Sequence, residues 1–116
     1  MHKVLAVEDD FDVVESWIDN LIGRNDIDLI LAPSIDTAFI RFRDNPDIEA
    51  IIMDACVPGN LPNTMGLVQR IRTTFKGPII AVSSMADNRT VLRDAGCDYD
   101  AEKHNVITKL LEILKV

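Results

Sequence analysis

The stretch "AIIMDACVPG" (residues 50–59) decides how this chain folds. Ala50 to Met53 are small or apolar without a break, which reads as a strand buried on both faces. Asp54 follows at once. A carboxylate rarely goes fully buried without a partner, and an unpaired one is costly. The strand end therefore demands a partner.

The same pattern recurs on both sides. "KVLAVE" (3–8), "IDLILA" (27–32), "PIIAVSS" (78–84) and the weaker "CDYDAE" (97–102) read as further strands. Between them lie amphipathic stretches. Residues 10–23 place Val13, Val14, Trp17, Ile18, Leu21 and Ile22 on one helical face, with Gly23 as the stop. Residues 34–45 are helical, with Ser34 as N-cap and Pro46 just beyond the end. Residues 66–77 turn Leu67, Val68, Ile71 and Phe75 inward; residues 87–96 form a short helix closed by Gly96; residues 105–116 form a last helix capped by Asn105. Trp17, Phe39, Phe42 and Phe75 stand at core spacing. Strands alternating with helices imply a parallel sheet covered on both faces, joined by right-handed crossovers. The expected fold is α/β: one domain over residues 1–116, an open, doubly wound (βα)5 sandwich.

Composition narrows the function. The chain has 116 residues, is 47% hydrophobic and carries a formal charge of −7. A negative balance argues against direct nucleic-acid binding, which needs a positive footprint; it favours metal cations or protein partners. No apolar run reaches membrane-span length, and the first residues end in acids rather than a secretory pattern. Cys56 and Cys97 then read as reduced thiols, and the expected compartment is the cytoplasm.

In a doubly wound sheet, ligands bind beyond the carboxyl ends of the strands. The first strand ends there in Glu8-Asp9-Asp10, the third in Asp54, the fourth in Ser83-Ser84, and the fifth leads to Glu102-Lys103. Any one of these reads equally well as a turn or cap residue. Their arrival at one rim is what the structural reading does not require. Crowded carboxylates need a cation or raised pKa values, and hard oxygen donors suit Mg2+, with Mn2+ next. A cation, a lysine and a free carboxylate together are suited to a phosphoryl group. Asp54 is then the nucleophile of an aspartyl phosphate.

In order and spacing, "VEDD", "MDACVPG", "PIIAVSS" and "AGCDYDAEK" resemble the receiver domain of two-component response regulators over the whole chain. The resemblance implies a flavodoxin-like strand order 2-1-3-4-5. It implies phosphorylation of Asp54 by the phosphohistidine of a histidine kinase or phosphotransfer protein, with Mg2+ held by Glu8 (often through water), Asp9, Asp54 and the backbone carbonyl of Cys56. Lys103 would pair with the phosphorylated carboxylate, and Ser83 would move to hydrogen-bond a phosphoryl oxygen, signalling to an output protein by a shift of population. Such a domain assists its own phosphorylation without being a turnover enzyme.

The chain departs from the family pattern in several places. Asp100 stands where an aromatic switch residue is usual. Tyr99 is its neighbour, so either the strand bulges or the aromatic relay is absent. His104 replaces the proline that follows the lysine; a non-proline cis bond costs about 3 kcal/mol, so the lysine loop is expected to sit differently. "PGNLPNTMG" (58–66) is longer than the usual loop, and the segment from Ser83 to Gly96 is shorter, which should trim its helix. Cys56 and Met85 stand two positions after Asp54 and Ser83, where polar groups often orient hydrolytic water; slow self-dephosphorylation is expected. Two rivals remain open: a pseudo-receiver that signals without phosphate, and a small Mg2+-dependent phosphatase of the haloacid-dehalogenase type. The latter wants a second Asp where Cys56 stands.

Overall fold

The computed structural model describes residues 1–59 and 61–116. The elements alternate as β1 (His2–Val7), α1 (Phe11–Asp19), β2 (Ile27–Ala32), α2 (Ile35–Asp44), β3 (Ala50–Asp54), α3 (Met65–Arg72), β4 (Ile79–Val82), α4 (Ala86–Ala95), β5 (Tyr99–Ala101) and α5 (Val106–Leu114). The strands form one sheet in the order β2-β1-β3-β4-β5, every pairing parallel. That is the expected architecture and strand order. No helix among the described residues is long and apolar enough to cross a membrane.

The unbroken apolar run of β3 has a direct cause. Alternate side chains serve opposite faces of a strand. Ile51 and Met53 join Leu5, Val7, Leu67, Val68, Ile71 and Ile79 beneath α2, α3 and α4. Ala50 and Ile52 join Val4, Trp17, Ile80, Val106 and Leu110 beneath α1 and α5. Ile51, Ile52 and Met53 are fully buried, and each such side chain contributes about 1.5–3 kcal/mol of transfer free energy.

Register then fixes the rim. Val7 pairs with Met53, so Glu8 comes level with Asp54. Asp54 pairs with Val82 and Val82 with Ala101, so Ser83 lies just past the edge and the chain after β5 rises beside it. Residues distant in sequence meet because the ladders stop together.

Several expectations need correction. α1 stops at Asp19 rather than continuing to Gly23. The amides of Leu21 and Ile22 bond back three residues, to the carbonyls of Ile18 and Asp19. This tighter turn ends the α-helical face and leaves Ile22 exposed; Ile18, still within α1, is exposed too, while Val14 and Trp17 stay buried. α3 ends at Arg72, where Thr73 Oγ1 takes up the Arg70 carbonyl at 2.7 Å. Asn105 occupies the N-cap position of α5 but makes no side-chain cap bond. Ser34 does cap α2, accepting from the Thr37 amide at 3.1 Å. Phe39 and Phe42 are only partly buried and pack against the core from α2. α4, the helix of the shorter segment before Gly96, spans ten residues and follows a connection of three, residues 83–85.

Candidate functional site

Five of the residues singled out from sequence converge at the carboxyl ends of β1, β3, β4 and β5. Carboxylate oxygens of Glu8, Asp9 and Asp54 lie within 4.8 Å of one another. Lys103 Nζ reaches in to 3.2 Å from Glu8 Oε2 and 3.5 Å from Asp54 Oδ2. Asp9, Asp54, Cys56, Ser83, Asn88 and Lys103 line one open cavity of about 300 Å³. Larger hollows lie elsewhere, between α2 and α3, lined largely by Phe39, Phe42 and Phe75 in one and by Ile35, Phe39 and Leu67 in the other.

The backbone delivers these groups in specific ways. Glu8 is buried, and its Oε1 accepts from the amides of Asp9 and Asp10, both at 3.1 Å. Asp10 caps α1, accepting from the Asp12 amide at 2.9 Å. Asp54 Oδ1 accepts from the Cys56 amide at 3.3 Å. Thr64, fully buried, donates its hydroxyl to the carbonyls of Asp54 (2.8 Å) and Ala55 (3.2 Å) and so pins the end of β3. The longer loop is braced by Asn63, whose side chain bonds both the amide and the carbonyl of Val57, at 2.8 and 2.9 Å. Asn60 of that loop lies outside the described residues. The Ser83 hydroxyl accepts from the Met85 amide at 3.1 Å.

Lys103 does not need a proline beside it. The cis peptide bond among the described residues is Val57–Pro58, not Lys103–His104. The Trp17 indole N–H donates to the Lys103 carbonyl at 2.8 Å and holds the loop from below. The peptide bond after Lys103 is not cis, in line with histidine in the proline's place, and the ammonium still reaches the acids.

Charge is left unbalanced here. Burial, followed by the neighbouring Asp54 carboxylate, pushes Glu8 up to about 8 against the pull of the Asp10 amide and Lys103. Burial pulls the Lys103 ammonium down, but the attraction of Asp54 and Glu8 outweighs it and the pKa ends above its usual value. Burial and then the Asp54 charge raise the Cys56 thiol, so this sulfur is a neutral, weak group. Glu8 Oε2 is the one buried side-chain oxygen or nitrogen among the described residues with no hydrogen-bond partner, its lysine contact lying off hydrogen-bond geometry. A divalent cation fits these donors. They are hard oxygens in a close cluster, one of them orphaned, and a cation would displace the proton that burial now favours.

The β5 edge resolves the question of the aromatic. β5 pairs with β4 in continuous register, without a bulge. Tyr99 lies on the α5 side, with Lys109 Nζ 5.4 Å from its ring centroid. Asp100 lies on the α4 side, paired with Arg89 (3.3 Å) and Arg93 (3.1 Å). Arg89 also donates to the Ser83 carbonyl at 2.7 Å. An ion-paired network occupies this edge, with an acid where the family pattern has an aromatic.

Sequence reading took Trp17 for plain core and passed over Thr64, Asn63, Asn88 and Arg89. A Thr just before a helix looks like a cap, and a Trp on an apolar face looks like packing. Nothing in either pattern announces a bond to a distant carbonyl.

Solved structures share this arrangement of elements. The chain is similar to a two-component response regulator from Clostridium difficile, with a TM-score of 0.81 at 17% identity over 99% of this chain and 97% of that one. It is similar to the BeF3-activated N-terminal receiver domain of Klebsiella pneumoniae RstA, with a TM-score of 0.77 at 23% identity over 99% and 100% of the two chains. The chain has the receiver-domain fold. A putative response regulator from Chloroflexus aurantiacus shares this receiver fold at 21% identity and a TM-score of 0.77, over 99% and 98%. No protein-family model and no curated protein matches the sequence.

Proposed function

We propose that this chain is the receiver domain of a two-component phosphorelay, accepting a phosphoryl group on Asp54 from the phosphohistidine of a histidine kinase or phosphotransfer protein. The observation that carries the reading is the position of Lys103, within 3.2 Å of Glu8 and 3.5 Å of Asp54 beside a third acid. A lysine drawn into a crowd of carboxylates at a strand-end cavity is poised to balance added negative charge.

Each side chain has a part in the transfer. An Asp54 carboxylate oxygen attacks phosphorus while the bond from phosphorus to the donor imidazole nitrogen breaks, and the electron pair leaves with the imidazole. Lys103 neutralises charge on the oxygens in flight. Glu8, Asp9, Asp54 and the Cys56 carbonyl would hold Mg2+ (or Mn2+), which supplies charge neutralisation at the same oxygens. Ser83 gives up the Met85 amide and donates its hydroxyl to a phosphoryl oxygen. The Ser83 carbonyl is tied to Arg89, and Arg89 to Asp100, so movement at Ser83 is felt at the α4–β5 edge. The output is contact with a protein partner rather than turnover of a substrate or direct binding of nucleic acid, and the compartment is the cytoplasm.

Mass spectrometry after incubation with acetyl phosphate and Mg2+ tests this. Wild type gains one phosphoryl group; Asp54→Asn gains none, and chelation of the metal abolishes the gain. An unmodified wild type would favour a pseudo-receiver, and a modified Asp54→Asn would move the acceptor elsewhere.

A further inference from the structure

We propose that Asn88, in the first turn of α4, orients the water that removes the phosphoryl group from Asp54. The inference rests on the phosphoacceptor reading above. It assigns a positioning role to a residue that neither the motifs nor the acid cluster includes.

Asn88 is only 8% exposed. Its Nδ2 finds, among the described residues, only sulfur: Cys56 Sγ at 3.6 Å and Met85 Sδ at 3.8 Å. An amide offers two donors and two lone pairs, and thiol and thioether sulfurs are weak acceptors. Asn88 Oδ1 is not among the buried atoms that lack a partner and so keeps access to the cavity that Asn88 lines. An apolar residue of the same size would pack against the two sulfurs as well. Packing alone does not call for an amide here.

Its location offers another reason. Asn88 lines the cavity that also contains Asp54, Ser83 and Lys103, and that cavity, at about 300 Å³, has room for water beside a phosphoryl group. The two side chains on which the amide rests cannot orient water well, a thiol and a thioether being weak hydrogen-bonding groups. With Nδ2 on the sulfurs, Asn88 Oδ1 has no protein donor among the described residues and is left to accept from a water. A neutral amide in such a place aligns a nucleophilic water without competing for phosphorus. The water oxygen bonds to phosphorus as the bond from phosphorus to the Asp54 oxygen breaks. The electron pair returns to the carboxylate, and the water proton leaves on inorganic phosphate.

The test separates loading from loss. Wild type, Asn88→Ala and Asn88→Leu are phosphorylated with phosphoramidate and Mg2+, desalted, and followed by intact mass. Both variants should load like wild type yet lose the phosphoryl group about tenfold more slowly, the scale of a lost water-positioning group. The leucine variant keeps the packing on sulfur, so slowing in both excludes a cavity effect. A residue that merely held the fold would change loading and loss together, and that result, or loss at the wild-type rate, overturns the assignment while leaving Asp54 as acceptor. A wild type that takes up no phosphoryl group overturns both readings.

Discussion

At the amino ends of β4 and β5, the Arg72 guanidinium donates to the carbonyls of Gly96 (2.8 Å), Phe75 (3.1 Å) and Gly77 (2.7 Å), and pairs with Asp98. Asp98 in turn accepts from the Ile79 amide at 3.0 Å. Even the glycine is specified, since a Cβ on Gly77 would stand 2.8 Å from the Glu49 carbonyl. At the carboxyl ends, three acids crowd together and Glu8 Oε2 has no hydrogen-bond partner. Both ends gather charge on one sheet, but one is internally complete and the other is not. A satisfied polar cluster rigidifies a fold; an incomplete one costs stability and is retained where something else must bind.

The strongest way to break this contrast is at the complete end. Arg72→Met strips three carbonyls and a carboxylate of their donor and should cost about 2–3 kcal/mol, a fall in Tm of roughly 10 °C. Urea melts would measure it. At a temperature where the variant is still folded, phosphorylation of Asp54 should be unchanged. Loss of phosphorylation in the folded variant would mean that the two ends are not separable.

The incomplete end should respond to pH with the opposite logic. Folding raises Glu8 from the ordinary 4.5 to about 8. Between those values the folded state binds a proton that the unfolded state has released, so stability falls as pH rises. In metal-free buffer, Tm should decline from pH 5 to pH 8 (the span of that shift). Glu8→Gln, which imitates the protonated acid, should flatten the decline. Mg2+ should restore wild-type stability most at the high end, where no proton has to be displaced, and do little for Glu8→Gln. A wild-type profile already flat without metal would show that the acids are not crowded as described.

How much of this could be read from the chain follows the same division. The unbroken strands, their alternation with helices and the polar residues at their carboxyl ends are local patterns, and Glu8, Asp9, Asp54, Ser83 and Lys103 were all legible. What escaped were bonds across long sequence gaps whose local signal pointed elsewhere. Trp17 looked like packing, though its N–H holds Lys103. Thr64, next to a helix start, drew no reading, though its hydroxyl pins β3. The face of α1 was overdrawn because Ile22 keeps helical spacing while the backbone has already tightened after Asp19. The arginines around Asp100 gave no signal, since a charge on an exposed helix face usually meets only solvent.

That last network lies between the two kinds and predicts the smallest change. Asp100 and Arg93 are each close to half exposed, whereas Arg89 is mostly covered and holds the Ser83 carbonyl. Exposed ion pairs contribute about 0–1 kcal/mol, so Asp100→Asn should scarcely move the urea midpoint. It should nevertheless loosen Arg89, and with it the segment from Ser83 to Met85. Amide NMR would then show shifts concentrated at Ser83, Ser84 and Met85, the segment between β4 and α4 that Arg89 ties down. A large loss of stability would place Asp100 with the Arg72 cluster as structural scaffold. Shifts confined to β5 would cut the link between the cavity and the α4–β5 edge.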